Sequence, residues 1–146
     1  MGSGSCHIGA AAPEQINNII GAGLDRHSAA LSAPAYQPAP FCLALTDADG
    51  QTIGGLSGQI LWQWLHLELL WVDEAHRGHG HGRALLAQAE QELLARQVHG
   101  IYLWTQSWQA PSFYEACGFT RAVTLPDFPQ GHDRIGFYKR LGTPGS

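Results

Sequence analysis

The stretch from Val72 to Leu86 constrains the fold of this chain more than any other. An apolar run ends at Val72. Gly78, Gly80 and Gly82 then alternate with His79 and His81 behind Arg77, and an amphipathic pattern begins at once. A strand, a glycine-rich turn and a helix in that order make an anion site. The turn bares backbone N–H groups, and the helix N-terminus adds a positive partial charge. The expected ligand is a phosphate. Spacing narrows the choice: no Gly-Lys-Ser/Thr follows, so the turn is not a Walker A loop. The third glycine, Gly82, falls one position early for a dinucleotide fingerprint, and Arg83 stands in the expected place. The plain alternative is a glycine turn without a ligand, but turns seldom need three alternating glycines between a buried strand and a helix.

The rest of the chain reads as a frame for this turn. Pro13 opens a helical pattern that puts Ile16, Ile19, Ile20 and Leu24 on one face, weakened by Gly21 and Gly23. A proline-rich loop spans residues 32–40. A strand over 41–46, a turn at Asp47–Gly50 and a strand over 52–62 form a hairpin. Gly54, Gly55 and Gly58 suggest a bulge or a close backbone approach in its second arm. The run 65–72 is a third strand, and its near-continuous apolar character suggests burial on both faces. The helix after the turn buries Leu85, Leu86, Ala89 and Leu93, pairs Glu92 with Arg96 and ends at Gly100. A strand over 101–105, a short helix over 109–117 and two antiparallel strands over 119–125 and 135–141 complete the order. This is a mixed α/β sheet with helices on its faces.

Composition sets outer bounds. At 146 residues the chain suggests one domain, placed at 6–141 between Gly/Ser tails at 1–5 and 142–146. A net charge of -4 disfavours a general nucleic-acid role. No apolar stretch is long enough for a membrane span, and no signal peptide is visible. Cys6, Cys42 and Cys117 are odd in number and far apart, which fits reduced thiols in a cytoplasm.

Arg77-x-x-Gly80-x-Gly82, after a strand leading into Val72-x-Glu74, resembles the acetyl-CoA signature of the GNAT N-acetyltransferase superfamily. A second match stands downstream: Ala110, Tyr114, Glu115, Gly118 and Phe119 are spaced as in that family's Ala-x-x-x-Tyr-Glu-x-x-Gly-Phe motif. The stretches Glu68–Val72 and Asp127–His132 are similar to a bacterial branch in which some members acetylate small amine antibiotics. The resemblance implies a single GNAT-type domain whose mostly antiparallel sheet splays into a V-shaped cleft, with helices on both faces. It implies acetyl-CoA as donor, no metal, a small-molecule amine as acceptor and a possible homodimer.

Roles follow position by position from the resemblance. Backbone N–H groups of Gly78, His79, Gly80, His81, Gly82 and Arg83 would hold the CoA pyrophosphate, with charge from Arg77 and Arg83. The backbone of Leu70, Trp71 and Val72 would pair with pantetheine, and the Val72 amide would polarise the thioester carbonyl. Ala110 opens the second cofactor motif. Ser107 stands where the family often has Asn contacting the pantetheine arm; Gln106 or Gln109 are substitutes. Tyr114 would protonate the departing thiolate, a transfer that needs placement more than acidity; its plain alternative is a core aromatic. Glu68, the one charge in its strand, is the candidate general base through water, against a strand carboxylate paired with a cation.

Three rival readings stay open. The acceptor is a protein lysine or N-terminus; the domain is a non-catalytic acyl-CoA-binding module; or His76, His79 and His81 hold a metal, although two of these are variable positions of the CoA turn. His132 borders the acceptor site or stabilises a turn. The five tryptophans pack the sheet or line an amine pocket.

Overall fold

The computed structural model describes residues 4–142; most of the expected tails lies outside them. The described chain forms two compact units, one ending at Tyr36 and one beginning at Gln37. The first unit holds helix α1 (Pro13–Ala30), with Pro13 in its first turn as expected. Ile19, Ile20 and Leu24 are exposed, and no residue of α1 is buried.

The second unit contains β1 (Ala39–Thr46), β2 (Thr52–Leu61), β3 (Trp64–Val72), α2 (His81–Ala95), β4 (Gly100–Gln106), α3 (Pro111–Ala116), β5 (Thr120–Leu125) and β6 (Arg134–Arg140). The six strands form one open sheet in the order β1-β2-β3-β4-β6-β5. Every pairing is antiparallel except β3 with β4. The β1–β2 turn is held by Asp47 Oδ1, which accepts from the N–H groups of Asp49 and Gln51, both at 2.9 Å. Pro40 sits inside β1, earlier than the expected strand start. An edge strand tolerates it because one side of its ladder is unpaired.

One apolar layer fills the space between the sheet and α2. Leu85, Leu86, Ala89 and Leu93 enter it from the helix as the periodicity predicts. Leu65, Leu67, Ile101, Leu103, Ile135 and Phe137 enter it from the strands, and Phe113, Tyr114 and Cys117 pack against it from α3 and its end. Within this unit α2 and α3 therefore share one face of the sheet.

Two expectations about the helix end are corrected. Arg96 is the C-cap, and Gln97 takes the left-handed conformation expected of a glycine, with φ 62°. Gly100 instead opens β4 against the Trp64 ring, where an added Cβ would lie 2.5 Å from Cε3. Glu92 and Arg96 do not pair. Glu92 accepts from Gln88 at 3.2 Å, and the Arg96 guanidinium lies 5.2 Å from the Phe41 ring centroid.

The apolar character of β3 also has a different cause from burial on both faces. Ser57 pairs with Leu69 and Gly58 with Leu67, which leaves Glu68 as an extra residue. Such a bulge shifts the in–out alternation by one position. Leu65 and Leu67 face the core before it, and Leu70 and Val72 pack against the core after it. Leu69 and Trp71 are left 69% and 53% exposed, so the strand is apolar on both sides but covered on one. The β2 glycines serve this region: a Cβ on Gly54 would meet the Trp71 carbonyl at 2.7 Å, and one on Gly58 would collide with the His66 carbonyl.

Candidate active site

The site begins where β3 and β4 part. They pair only at Trp64–Gly100, Leu65–Ile101 and His66–Tyr102. Beyond those steps β3 continues to Val72 and β4 to Gln106, and the two strands no longer pair with each other. The Asp73 N–H donates to the Ile53 carbonyl across β2 at 2.7 Å. Because N–H direction alternates along a strand, the Val72 N–H faces the open side. The Val72 carbonyl accepts from Arg77 Nε at 2.8 Å. Arg77 thus ties the strand end to the turn that follows it, a job beyond the phosphate charge expected of it.

Each glycine of the turn has its own physical reason. Gly78 and Gly80 adopt φ of 82° and 81°, a region that L side chains rarely enter. Gly80 is also the N-cap of α2, and no side chain caps that helix or places a carboxylate in its first turn. The Ala84 N–H bonds to the Gly80 carbonyl, so the preceding amides of His81, Gly82 and Arg83 have no intrahelical acceptor. Gly82 packs closely: a Cβ there would stand 3.1 Å from Phe113 Cζ, and the ring would have to give way by a few tenths of an ångström. A glycine inside a helix start is the sequence signal for such an approach, although its partner on α3 was not legible.

A cavity of about 500 Å³ runs along these elements. Leu70, Trp71 and Val72 line it from the strand, Arg77, Gly78, Gly80, His81, Gly82 and Arg83 from the turn, and Ala110 and Tyr114 from the α3 side. It thereby gathers most of the cofactor residues expected from sequence. His76, Gln109 and Phe113 line it too. Ala110 sits at the α3 N-cap with φ 53°, a strained conformation for a residue with a Cβ.

Tyr114 is half-buried, with its ring against Phe113, Phe119 and Phe137 at centroid distances of 5.2, 5.7 and 5.8 Å. Among the described residues its hydroxyl has no hydrogen-bond partner, so the packed-aromatic alternative lacks the backbone acceptor it calls for. Burial, with a smaller contribution from Cys117, raises its pKa above the ordinary 10. The phenol stays protonated at neutral pH and is available as a donor.

Glu68, His79 and Ser107 do not line this cavity. Glu68 is exposed at the β3 bulge, and among the described residues it forms no ion pair, so the paired-carboxylate alternative lacks its cation. The bulge residue is pushed out of the ladder, which accounts for its exposure. The Ser107 hydroxyl accepts from the Asp133 N–H at 3.0 Å and fastens the loop before β6. Gln109 reaches the cavity from the neighbouring turn, its Oε1 accepting from Gln106 N–H at 3.2 Å. Cys117 borders a second hollow with Arg83 and Lys139. Burial raises its thiol pKa while Arg83 and Lys139 act to lower it.

The histidines do not converge. His76 Nδ1 lies 3.3 Å from Asp73 Oδ2, and the His79 and His81 rings are 6.0 Å apart. Among the described residues no group of three or more His, Cys, Asp or Glu is placed to hold a metal ion. No helix among them is long and apolar enough to cross a membrane.

Comparison with known proteins agrees with this geometry. The model of the acetyltransferase (GNAT) family matches residues 16–119. A blasticidin-S acetyltransferase from Streptomyces morookaense is 41% identical over 117 residues, covering 73% of this chain and 85% of the relative. The crystal structure of an acetyltransferase from Bacillus cereus superposes with a TM-score of 0.79 at 28% identity, over 93% of this chain and 98% of that one. A Bacillus anthracis protein assigned as a streptothricin acetyltransferase, in complex with acetyl coenzyme A, superposes with a TM-score of 0.64 at 26% identity over 73% of this chain and 65% of that one. By family match, close relative and shared fold alike, the chain is a member of the GNAT acetyltransferase family.

Proposed function

We propose that the protein transfers an acetyl group from acetyl-CoA directly to a primary amine of a small molecule. The observation that carries this reading is the one cavity shared by the free edge of β3, the glycine turn and Tyr114. The pyrophosphate rests on the amides from Gly78 to Arg83, at a helix end with a positive partial charge and no competing carboxylate in its first turn. Pantetheine lies along Leu70–Val72, where β4 has withdrawn. The B. anthracis complex with acetyl coenzyme A supports the donor, and the blasticidin-S relative supports a small-molecule acceptor. Three free thiols fit a reducing cytoplasm.

The amine nitrogen attacks the thioester carbonyl, and the Val72 N–H stabilises the oxyanion that forms. The amine proton leaves through water to Glu68, whose exposure at the bulge keeps it in reach of solvent. The C–S bond then breaks, and the thiolate takes the phenol proton of Tyr114, which solvent replaces. At ordinary pKa values that proton transfer is already uphill by about 2 kcal/mol, and burial of Tyr114 adds to it. Tyr114 therefore acts through its position. No acyl-enzyme is needed, and Cys117 plays no part.

The test is thiol release from acetyl-CoA across a broad panel of small amines, with a lysine peptide alongside. Turnover on a small amine is expected. Turnover on the peptide alone would move the acceptor class, and CoA binding without thiol release on any amine would reduce the protein to a binding module.

A further inference from the structure

The end of β4 and the loop before β6 carry rings that neither the core nor the donor cavity uses. Trp104, Trp108 and Phe128 are 38%, 56% and 47% exposed. They are nevertheless held in place. Gln106 Nε2 donates to the Phe128 carbonyl at 2.6 Å. The Ser107 N–H donates to the Asp133 carbonyl at 2.9 Å, and the Asp133 N–H returns a bond to Ser107 Oγ. The Arg134 guanidinium lies 5.4 Å from the Trp104 ring centroid and 5.1 Å from that of Phe128. His132 meets Trp108 edge-on at 4.8 Å. Exposed rings fixed by polar ties are preorganised for a ligand, because little ordering remains to be done on binding.

Their place in the fold joins them to the site. Trp108 directly precedes Gln109 and Ala110, which line the donor cavity. Trp104 stands two residues past the last β4 position paired with β3, and Glu68 two residues past the last on β3. The rings and the carboxylate thus flank the same parting of strands.

We propose that this cluster binds the acceptor, and that the acceptor is an amine carried on a planar unsaturated ring. The ring rests on Trp108 and Phe128 beside Trp104, and Glu68 attracts the ammonium group. Aromatic rings favour offset or edge-on partners with a π face, whereas a saturated ring of equal size gains burial alone. The inference rests on the acyl-transfer reading above.

The test compares benzylamine with cyclohexylmethylamine, similar in size but not in planarity, in the wild type, in Trp108→Ala, in Phe128→Ala, in the double variant that combines these two, and in Trp108→Phe. The two amines differ in basicity, so the readout is the change in their kcat/KM ratio. Loss of both rings together should lower the benzylamine preference about tenfold through KM. Trp108→Phe should retain it, and the KM for acetyl-CoA should not move. An unchanged ratio in the double variant overturns the inference and leaves acyl transfer standing. If the wild type acetylates neither amine, calorimetric binding of each to the enzyme–CoA complex decides: tighter benzylamine binding that the double variant loses supports the proposal, and equal binding overturns it.

Discussion

The glycine turn and the ring-bearing loop before β6 lie at the same parting of strands, yet they are built in opposite ways. The turn offers backbone. Its amides are bared by two positive-φ glycines and a helix start, and the Arg77 side chain fastens it to the Val72 carbonyl. The loop offers side chains. Its backbone is closed by hydrogen bonds to Gln106 and Ser107, and its rings stand exposed. A backbone site suits one invariant chemical group, such as a pyrophosphate, because it has little to vary. A side-chain site changes its ligand with each substitution. The contrast matches the proposed division of labour, with the constant donor at the turn and the selected acceptor at the loop.

The largest effect that bears on this contrast is expected from Tyr114→Phe. Removing a positioned acid should lower kcat by about 100-fold or more. Calorimetry should find CoA binding unchanged, since the ring and its packing remain; unaltered turnover would leave Tyr114 a packing residue. Gly80→Val should come next. A β-branched residue at φ 81° is strained, and an added Cβ meets nothing within 4 Å, so the cost falls on the backbone of the turn. The KM for acetyl-CoA should rise about tenfold while the acceptor KM stays within twofold. A matching rise in acceptor KM would erase the division between the two regions.

Ser107→Ala distinguishes a tie from a cofactor contact. Loss of the hydroxyl that accepts from Asp133 should lower stability by about 1 kcal/mol in a denaturant titration. An unchanged stability with a raised KM for acetyl-CoA would put the hydroxyl on pantetheine instead. The smallest effect is on pH. Because burial raises the Tyr114 pKa, the phenol keeps its proton to higher pH than a free tyrosine. The basic limb of the kcat profile that belongs to this acid should therefore lie above pH 10, and a limb below it assigned to Tyr114 by its loss in Tyr114→Phe would contradict the assignment.

The same contrast explains what the sequence revealed. The turn is contiguous, and its positive-φ glycines and the helix behind them lie within a dozen residues. Its shape is a matter of backbone, so glycine spacing was enough to locate the turn. The core side of α2 was equally legible, since Leu85, Leu86, Ala89 and Leu93 recur at the helical period. Trp104, Trp108, Phe128 and Arg134 come from two strands and two loops, and only the fold places Arg134 against two of the rings. The β3 bulge was hidden for another reason. A phase shift fills both parities of a strand with apolar residues, which in one dimension looks the same as burial on both faces. The tie from the Asp133 amide to the Ser107 hydroxyl joins residues far apart in the chain, and no local pattern signals it.

Amide NMR of the labelled protein titrated with CoA decides whether the turn holds the donor, because the site proposed for it is made of amides. The resonances of Gly78 to Arg83 and of Val72 should move first and farthest, with those of Phe128 to Asp133 nearly still. CoA binding that leaves the turn amides in place, or that moves the ring-bearing loop instead, would put the donor elsewhere.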